Sequence, residues 1–195
     1  SSLEITVNSL PATAGTISGD VSVCKGENNV TYQVPSIQGA TSYIWTLPSG
    51  ATGTSTTNSI SVSFGSNAVT GNISVKGDNA CGNGTSSSLN IVVNAKPVTP
   101  IISVNGNILH SDAATGNQWY DQNGLINGAI NQNHTVLHTG DYYSIVTLNE
   151  CSSDPSNSIH VVISGIENAQ NYSLIKVSPN PFSDFIRIET VNNFS

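Results

Sequence analysis

Apolar and polar residues alternate along short stretches of the chain. Leu3, Ile5 and Val7 take turns with polar neighbours, and so do Ile60, Val62 and Phe64. A period of two is the signature of a strand with one buried and one wet face. The same reading predicts strands at residues 31–34, 42–47, 72–76 and 89–93, then at 117–121, 135–137, 142–148 and 159–163. Turn formers separate them: Pro48-Ser49-Gly50, Gly65-Ser66-Asn67, Asn105-Gly106-Asn107, Asn123-Gly124 and Thr139-Gly140-Asp141. No stretch carries an apolar stripe at helical spacing. Short strands with turns every 8 to 12 residues or so predict an all-β chain of small antiparallel sandwiches, each built from two sheets.

The pattern is also repeated. Residues 1–8 read SSLEITVN and residues 87–94 read SSLNIVVN; ATSYIW (40–45) returns as ATGNQW (114–119), NAC (79–81) as NEC (149–151), and the 87–94 segment again as NSIHVVIS (157–164). The last three matches are collinear, at offsets of about 70 to 74 residues, so two copies of one module fill most of the chain. In that register residues 3–8 are the last strand of a preceding copy, and Trp45 and Trp119 sit at matching places inside two separate cores.

Composition narrows the partners. Of 195 residues 37% are hydrophobic, enough for two compact cores, and only 9% are charged. With five basic residues and a net charge of −7, the chain has no cationic surface for phosphates, which argues against nucleic acid and anionic membrane. No apolar run is long enough to span a bilayer as a helix. The absence of Met fits a window of a longer polypeptide.

Cys24 and Cys81 bracket the body of the first copy with Trp45 between them, which predicts a Cys24–Cys81 disulfide. Closing that loop is worth roughly 4 kcal/mol in the chain-entropy model. A metal site or reactive thiol is the alternative, but the paired ligand spacing is missing. Cys151 takes the late position of the second copy without an early partner, so it is expected to be a lone thiol, with intermolecular pairing as the other option.

TYQVPSIQGATSYIWTLPSGAT, with NSISVSFGS and NISVKGDNACG, resembles the PKD-like modules found in tandem in secreted proteins of Bacteroidota. SDAATGNQWYDQNGLINGAINQNHTV with TGDYYSIVTLNECSS resembles the Ig-like modules that accompany them. Both patterns usually carry two cysteines, and the second copy departs from this. SLIKVSPNPFSDFIRIE (173–189) resembles the start of a type IX secretion C-terminal sorting domain. Its core is Pro179, Asn180 and Pro181, where two prolines remove two N–H donors and fix a rigid turn between strands. The expected organisation is residues 1–10 as strand and linker, 11–95 as a PKD-like sandwich, 96–164 as an Ig-like sandwich, 165–173 as linker and 174–195 as the truncated sorting domain.

Candidate chemistry is sparse. His134 and His138 share a face on a strand but lie about 13 Å apart, too far for one ion, and His110 and His160 stand alone. Asp20, Asp78, Asp112, Asp141 and Asp154 fall in or beside turns without forming a calcium loop; calcium is the only cofactor to consider, and none is expected. No nucleophile motif is present. Strand alternation turns Tyr120 away from Trp119, and one of Tyr142 and Tyr143 must point outward with it, so neighbouring strands there would make an aromatic patch able to contact a glycan. The expectation is a non-catalytic spacer, secreted or on the outer cell surface, exported by the type IX machinery. A carbohydrate-binding accessory module of a glycan-degrading enzyme, or an adhesin repeat, is the alternative.

Overall fold

A computed structural model describes residues 9–163 and the backbone of two further strands, Ile175–Ser178 and Arg187–Thr190. The sorting-motif residues Pro179, Asn180 and Pro181, and the repeated segment 1–8, lie outside the described residues.

The first half contains β1 (Ser22–Cys24), β2 (Val30–Gln33), β3 (Ser42–Thr46), β4 (Ala51–Thr52), β5 (Ser59–Phe64), β6 (Gly71–Asn79), β7 (Gly82–Asn83) and β8 (Ser87–Asn94). One sheet runs β1-β8-β6-β3 with β7 added to β6; the other runs β2-β5-β4. β5 shows why the sheets face each other. Its sequence SISVSF turns Ile60, Val62 and Phe64 inward. They meet Tyr32, Val34, Ile73, Val75 and Ile91 in one buried cluster, with Tyr32 and Phe64 edge to face at 6.4 Å. Each such side chain contributes about 1.5–3 kcal/mol by leaving water.

The chain enters this sandwich along one sheet and crosses to the other. Ser18 bridges to Gln33 beside β2, and four residues on, β1 pairs in parallel with β8. Gly19 makes the crossing with φ of 148°; a Cβ there would run into the Tyr32 ring, so glycine is what fits.

The second half contains β9 (Ile102–Asn105), β10 (Ile108–Ser111), β11 (Asn117–Asp121), β12 (Gly124–Leu125), β13 (Asn133–Thr135), β14 (Gly140–Leu148), β15 (Cys151–Ser152) and β16 (Ile159–Val161). Its sheets run β12-β11-β14-β15, with β16 also on β14, and β13-β10-β9. The pairing repeats the first half: β3 on β6 becomes β11 on β14, and the β6–β7 hairpin becomes β14–β15. The two last strands, β17 (Ile175–Ser178) and β18 (Arg187–Thr190), form an antiparallel pair. The all-β sandwich architecture is therefore as the alternation predicts.

Three local expectations change. β1, β9 and β10 arise where no strand is predicted, because β1 is three residues long and the β9–β10 hairpin mixes apolar with polar positions on both faces. The strand expected at residues 135–137 forms at β13 instead, where β10 offers the pairing. Trp119 is fully buried, while Trp45 is only partly covered by its core.

Candidate functional site

The feature that joins the two halves is covalent. Cys24 bonds Cys151, closing a separation of 127 residues with the Cα atoms 5.7 Å apart. This overturns the Cys24–Cys81 pairing and the lone thiol at Cys151. Among the described residues Cys81 is the free cysteine, and it is exposed. The topology explains the failure. Cys24 lies opposite Asn94 at the end of β8, whereas β6 pairs Gly71 with Ile91 and then runs away from that end to Asn79. Some eight residues of strand, at about 3.3 Å each, put Cys81 roughly 25 Å from Cys24. A disulfide needs Cα atoms within about 7 Å.

The hairpin that delivers Cys151 is built for sharpness. Leu148 pairs with Cys151, leaving a loop of Asn149 and Glu150, both with positive φ (49° and 66°). Two left-handed residues give the turn whose twist matches the strands. Glu150 is an uncommon occupant, since a left-handed side chain costs about 1–2 kcal/mol. Its carbonyl oxygen sits 3.9 Å from Cys24 Sγ, so the strained tip lies directly on the first half. On the opposite side, Glu27 Oε2 accepts the Cys24 N–H at 2.7 Å, and Lys25 N–H donates to Asn94 O. Lys96, in the linker, pairs with Asp154 at 2.6 Å; both are exposed, so this contact contributes little energy.

Around the disulfide lies an open cleft of about 590 Å³ whose walls include Asp20, Glu27, Lys25, Lys96 and Glu150. Its charges are of both signs and no apolar anchor lines it. Ligand sites are usually apolar with a few aimed polar groups, and this cleft has the opposite make-up.

The outer face of the second half carries the predicted aromatics. Tyr120 and Tyr143 are direct partners on β11 and β14, with rings 4.9 Å apart and 8° from parallel. Leu125, 60% exposed, is the partner of Tyr120 on the other side. Tyr142 does not join them. It faces the core, 4% exposed, and its hydroxyl donates to His138 O at 2.8 Å. In the first half the matching pair is Thr46 and Ser74, so this aromatic strip belongs to one copy alone. Its two rings cover each other's faces. A sugar platform needs an exposed flat face, and each tyrosine here has one already occupied.

The remaining candidates are accounted for by structure. His134 is held between Trp119 (5.9 Å) and Tyr142 (6.2 Å), and burial lowers its pKa below the ordinary 6.5 against the opposing pull of Asp121. His160 bonds Asp141, His110 bonds Asn133, Asp112 accepts the Ile101 N–H, and Asp78 accepts the Ser42 hydroxyl. Among the described residues no three His, Cys, Asp or Glu side chains gather as a metal site.

Comparison with known proteins gives the class of the first half: residues 10–91 match the family model of the PKD-like domain. No curated protein is similar to the chain in sequence. Similar solved structures include murine CEACAM1b, at 13% identity over 75% of this chain and 98% of that one, with a TM-score of 0.42. The FN1-FN3 domains of chicken CNTN1 share 14% identity over 80% of this chain and 69% of theirs, at 0.42. A biofilm associated protein, BSP domain, shares 19% identity over 78% of this chain and 30% of its own, at 0.29. These likenesses concern the fold alone.

Proposed function

We propose that the chain is a non-catalytic extracellular spacer: two β-sandwich modules clamped at a fixed angle, carrying a C-terminal segment (174–195) that addresses the protein to the type IX export machinery. The observation that supports this best is the Cys24–Cys151 bond, because a disulfide between modules restricts their relative motion and contributes nothing to a reaction. Disulfides persist where the surroundings are oxidising, which favours a secreted or outer-surface location. A charge-poor surface rich in Ser, Thr and Asn suits long exposure without reliance on ion pairs.

The test is the distance distribution between spin labels placed one on each sandwich, read with and without Cys24→Ser/Cys151→Ser. A narrow distribution that broadens in the variant supports the clamp; equal widths would remove the reason for calling the unit a rigid spacer. Export is tested by deleting residues 174–195 from the full polypeptide, and undiminished secretion would defeat that part. The glycan-binding reading rests on the Tyr120–Tyr143 strip. It gains ground only if polysaccharide retains the wild type and releases Tyr120→Ala.

A further inference from the structure

The negative charge of the chain is shared unevenly between its halves. Residues 11–95 hold Lys25 and Lys76 against Asp20, Glu27 and Asp78, a net of −1. Residues 97–163 hold Asp112, Asp121, Asp141, Glu150 and Asp154 with no Lys or Arg, a net of −5 with His neutral. A module without lysine or arginine of its own surrounds itself with a field that favours positively charged groups.

The outer face of the sheet built on β11 and β14 departs from its counterpart at the positions where that field can be used. The first half carries Thr46 opposite Ser74 and Asn72 opposite Asn90, with Asn90 Nδ2 donating to Asn72 Oδ1 at 3.1 Å. The corresponding pairs in the second half are Tyr120 with Tyr143 and Asp141 with His160. Hydroxyls and amides on one module have become two rings, a carboxylate and an imidazole on the other.

Tyr120 and Tyr143 stand face to face, 4.9 Å apart and 8° from parallel, so each has one ring face turned to its partner. The other face of Tyr120 is turned to Leu125. The other face of Tyr143 is turned towards β16, where the register that pairs Tyr142 with Ile159 puts the short, exposed Ser158 beside it. One ring face of the strip is therefore open. Asp141 lies two residues before Tyr143 on the same side of β14, about 7 Å along the strand. Its side chain is 62% exposed; His160 Nδ1 lies 2.8 Å from Oδ1, and Oδ2 has no partner among the described residues.

We propose that Tyr143 and Asp141 form a docking site for an arginine side chain of a basic partner protein. A guanidinium is planar, so it lies flat on the open face of Tyr143, drawn by the negative face of the ring. Its in-plane N–H groups then point along the strand to Asp141, where Oδ2 accepts a charge-assisted hydrogen bond. Charge complementarity is what names the partner: a neutral sugar would use the ring but neither the carboxylate's charge nor the field of a module that carries no lysine or arginine. Tyr143 is five residues along β14 from Leu148, the strand partner of Cys151, so the site is separate from the disulfide.

The test is titration of the 195-residue chain with a short peptide of alternating Arg and Gly, followed by calorimetry and by the ring resonances of Tyr143. A matching peptide with citrulline in place of Arg removes the charge and keeps the shape. The Arg peptide is expected to bind and to shift the Tyr143 signals, and the citrulline peptide to bind about tenfold more weakly or less. Tyr143→Leu and Asp141→Asn should each lower the affinity about three- to fivefold, while Tyr143→Phe, which keeps the ring face, should bind as the wild type does. No binding of the Arg peptide, or equal binding of its citrulline form, would overturn the proposal. So would an affinity untouched by both Tyr143→Leu and Asp141→Asn, which would mean attraction to the acidic half at large. A neutral oligosaccharide that excludes the Arg peptide from Tyr143 would overturn it in favour of the glycan reading.

Discussion

The two halves follow one strand plan with different interiors. Among the described residues the core cluster of the first holds fourteen buried apolar residues, Tyr32, Phe64 and Ile73 among them; the cluster of the second holds six, led by Trp119 and Leu109. The buried polar residues Ser111, Asn117, Ser144 and Ser153 all belong to the second. Each is satisfied: Asn117 Nδ2 donates to Ala113 O, Ser144 Oγ donates to Asn117 Oδ1, Ser111 Oγ accepts the Ala113 N–H, and Ser153 Oγ accepts the Val146 N–H. No buried side-chain polar atom among the described residues lacks a partner. One set of pairings can therefore be held by apolar burial or by a satisfied polar network around one large aromatic. The second solution is the more fragile, since an unpaired buried polar group costs more than a made hydrogen bond returns.

The conserved detail within this contrast is the indole N–H. Trp45 Nε1 donates to Thr57 O and Trp119 Nε1 to Asn131 O, twelve residues ahead in each case, at 2.9 and 2.8 Å. The same bond is shielded to different degrees. Trp119 is covered by His134 and Tyr142, whereas Trp45 lies at the margin of its cluster.

Breaking the disulfide that both halves share should have the largest effect. Cys24→Ser/Cys151→Ser frees a loop of 127 residues, worth up to roughly 5 kcal/mol in the chain-entropy model. Thermal melts with and without reductant should show the loss, falling mainly on the second half with its smaller core. Next, Trp119→Ala should cost about 3–5 kcal/mol by denaturant titration and Trp45→Ala less, because Trp45 is only partly buried against its cluster. Equal losses would contradict the contrast in burial.

A smaller effect is expected from the polar network. Asn117→Ala leaves Ser144 Oγ and Ala113 O without their partner, a cost of about 1–3 kcal/mol. Tyr43, at the corresponding place in the first half, accepts the Ile37 N–H; Tyr43→Phe should cost about 1 kcal/mol. The smallest effects concern pH and have opposite directions in the two halves. His134 has a folded pKa below 6.5, so the unfolded chain binds its proton more readily, and the second half should lose stability as pH falls through and below 6.5. His134→Gln should flatten that dependence. Tyr32 is pushed up to about 12 by burial, with Asp20 and Glu27 adding to it. Its contribution is complete below pH 10 and is lost as pH rises from 10 towards 12, which Tyr32→Phe should abolish. Melts at pH 5 and pH 11 that affected both halves alike would refute the pairing.

Much of the fold was legible because alternation and turn chemistry are local. β5, β8, β11 and β14 stand where their apolar period places them, and so does the outward turn of Tyr120; that Tyr143 and not Tyr142 joins it was decided by the pairing of β11 with β14. What escaped was the partner of each cysteine. NAC and NEC look equivalent, yet the first hairpin pairs Asn79 with Gly82 and the second pairs Leu148 with Cys151. This single-residue difference puts Cys81 in a loop and Cys151 in a strand. β1, which carries Cys24, is three residues long and has no described counterpart in the second half.

The sequence by itself determined the all-β class, the twofold repeat, the inward and outward faces of the long strands and the polar, charge-poor surface, since each is written in the order and identity of the residues and needs no knowledge of which strands meet. The tertiary structure alone decided that Cys24 meets Cys151 and that Trp119 is sealed while Trp45 is not. Those outcomes depend on which ends of two sandwiches are brought together and on what covers a side chain from across the core, and no local spacing encodes either.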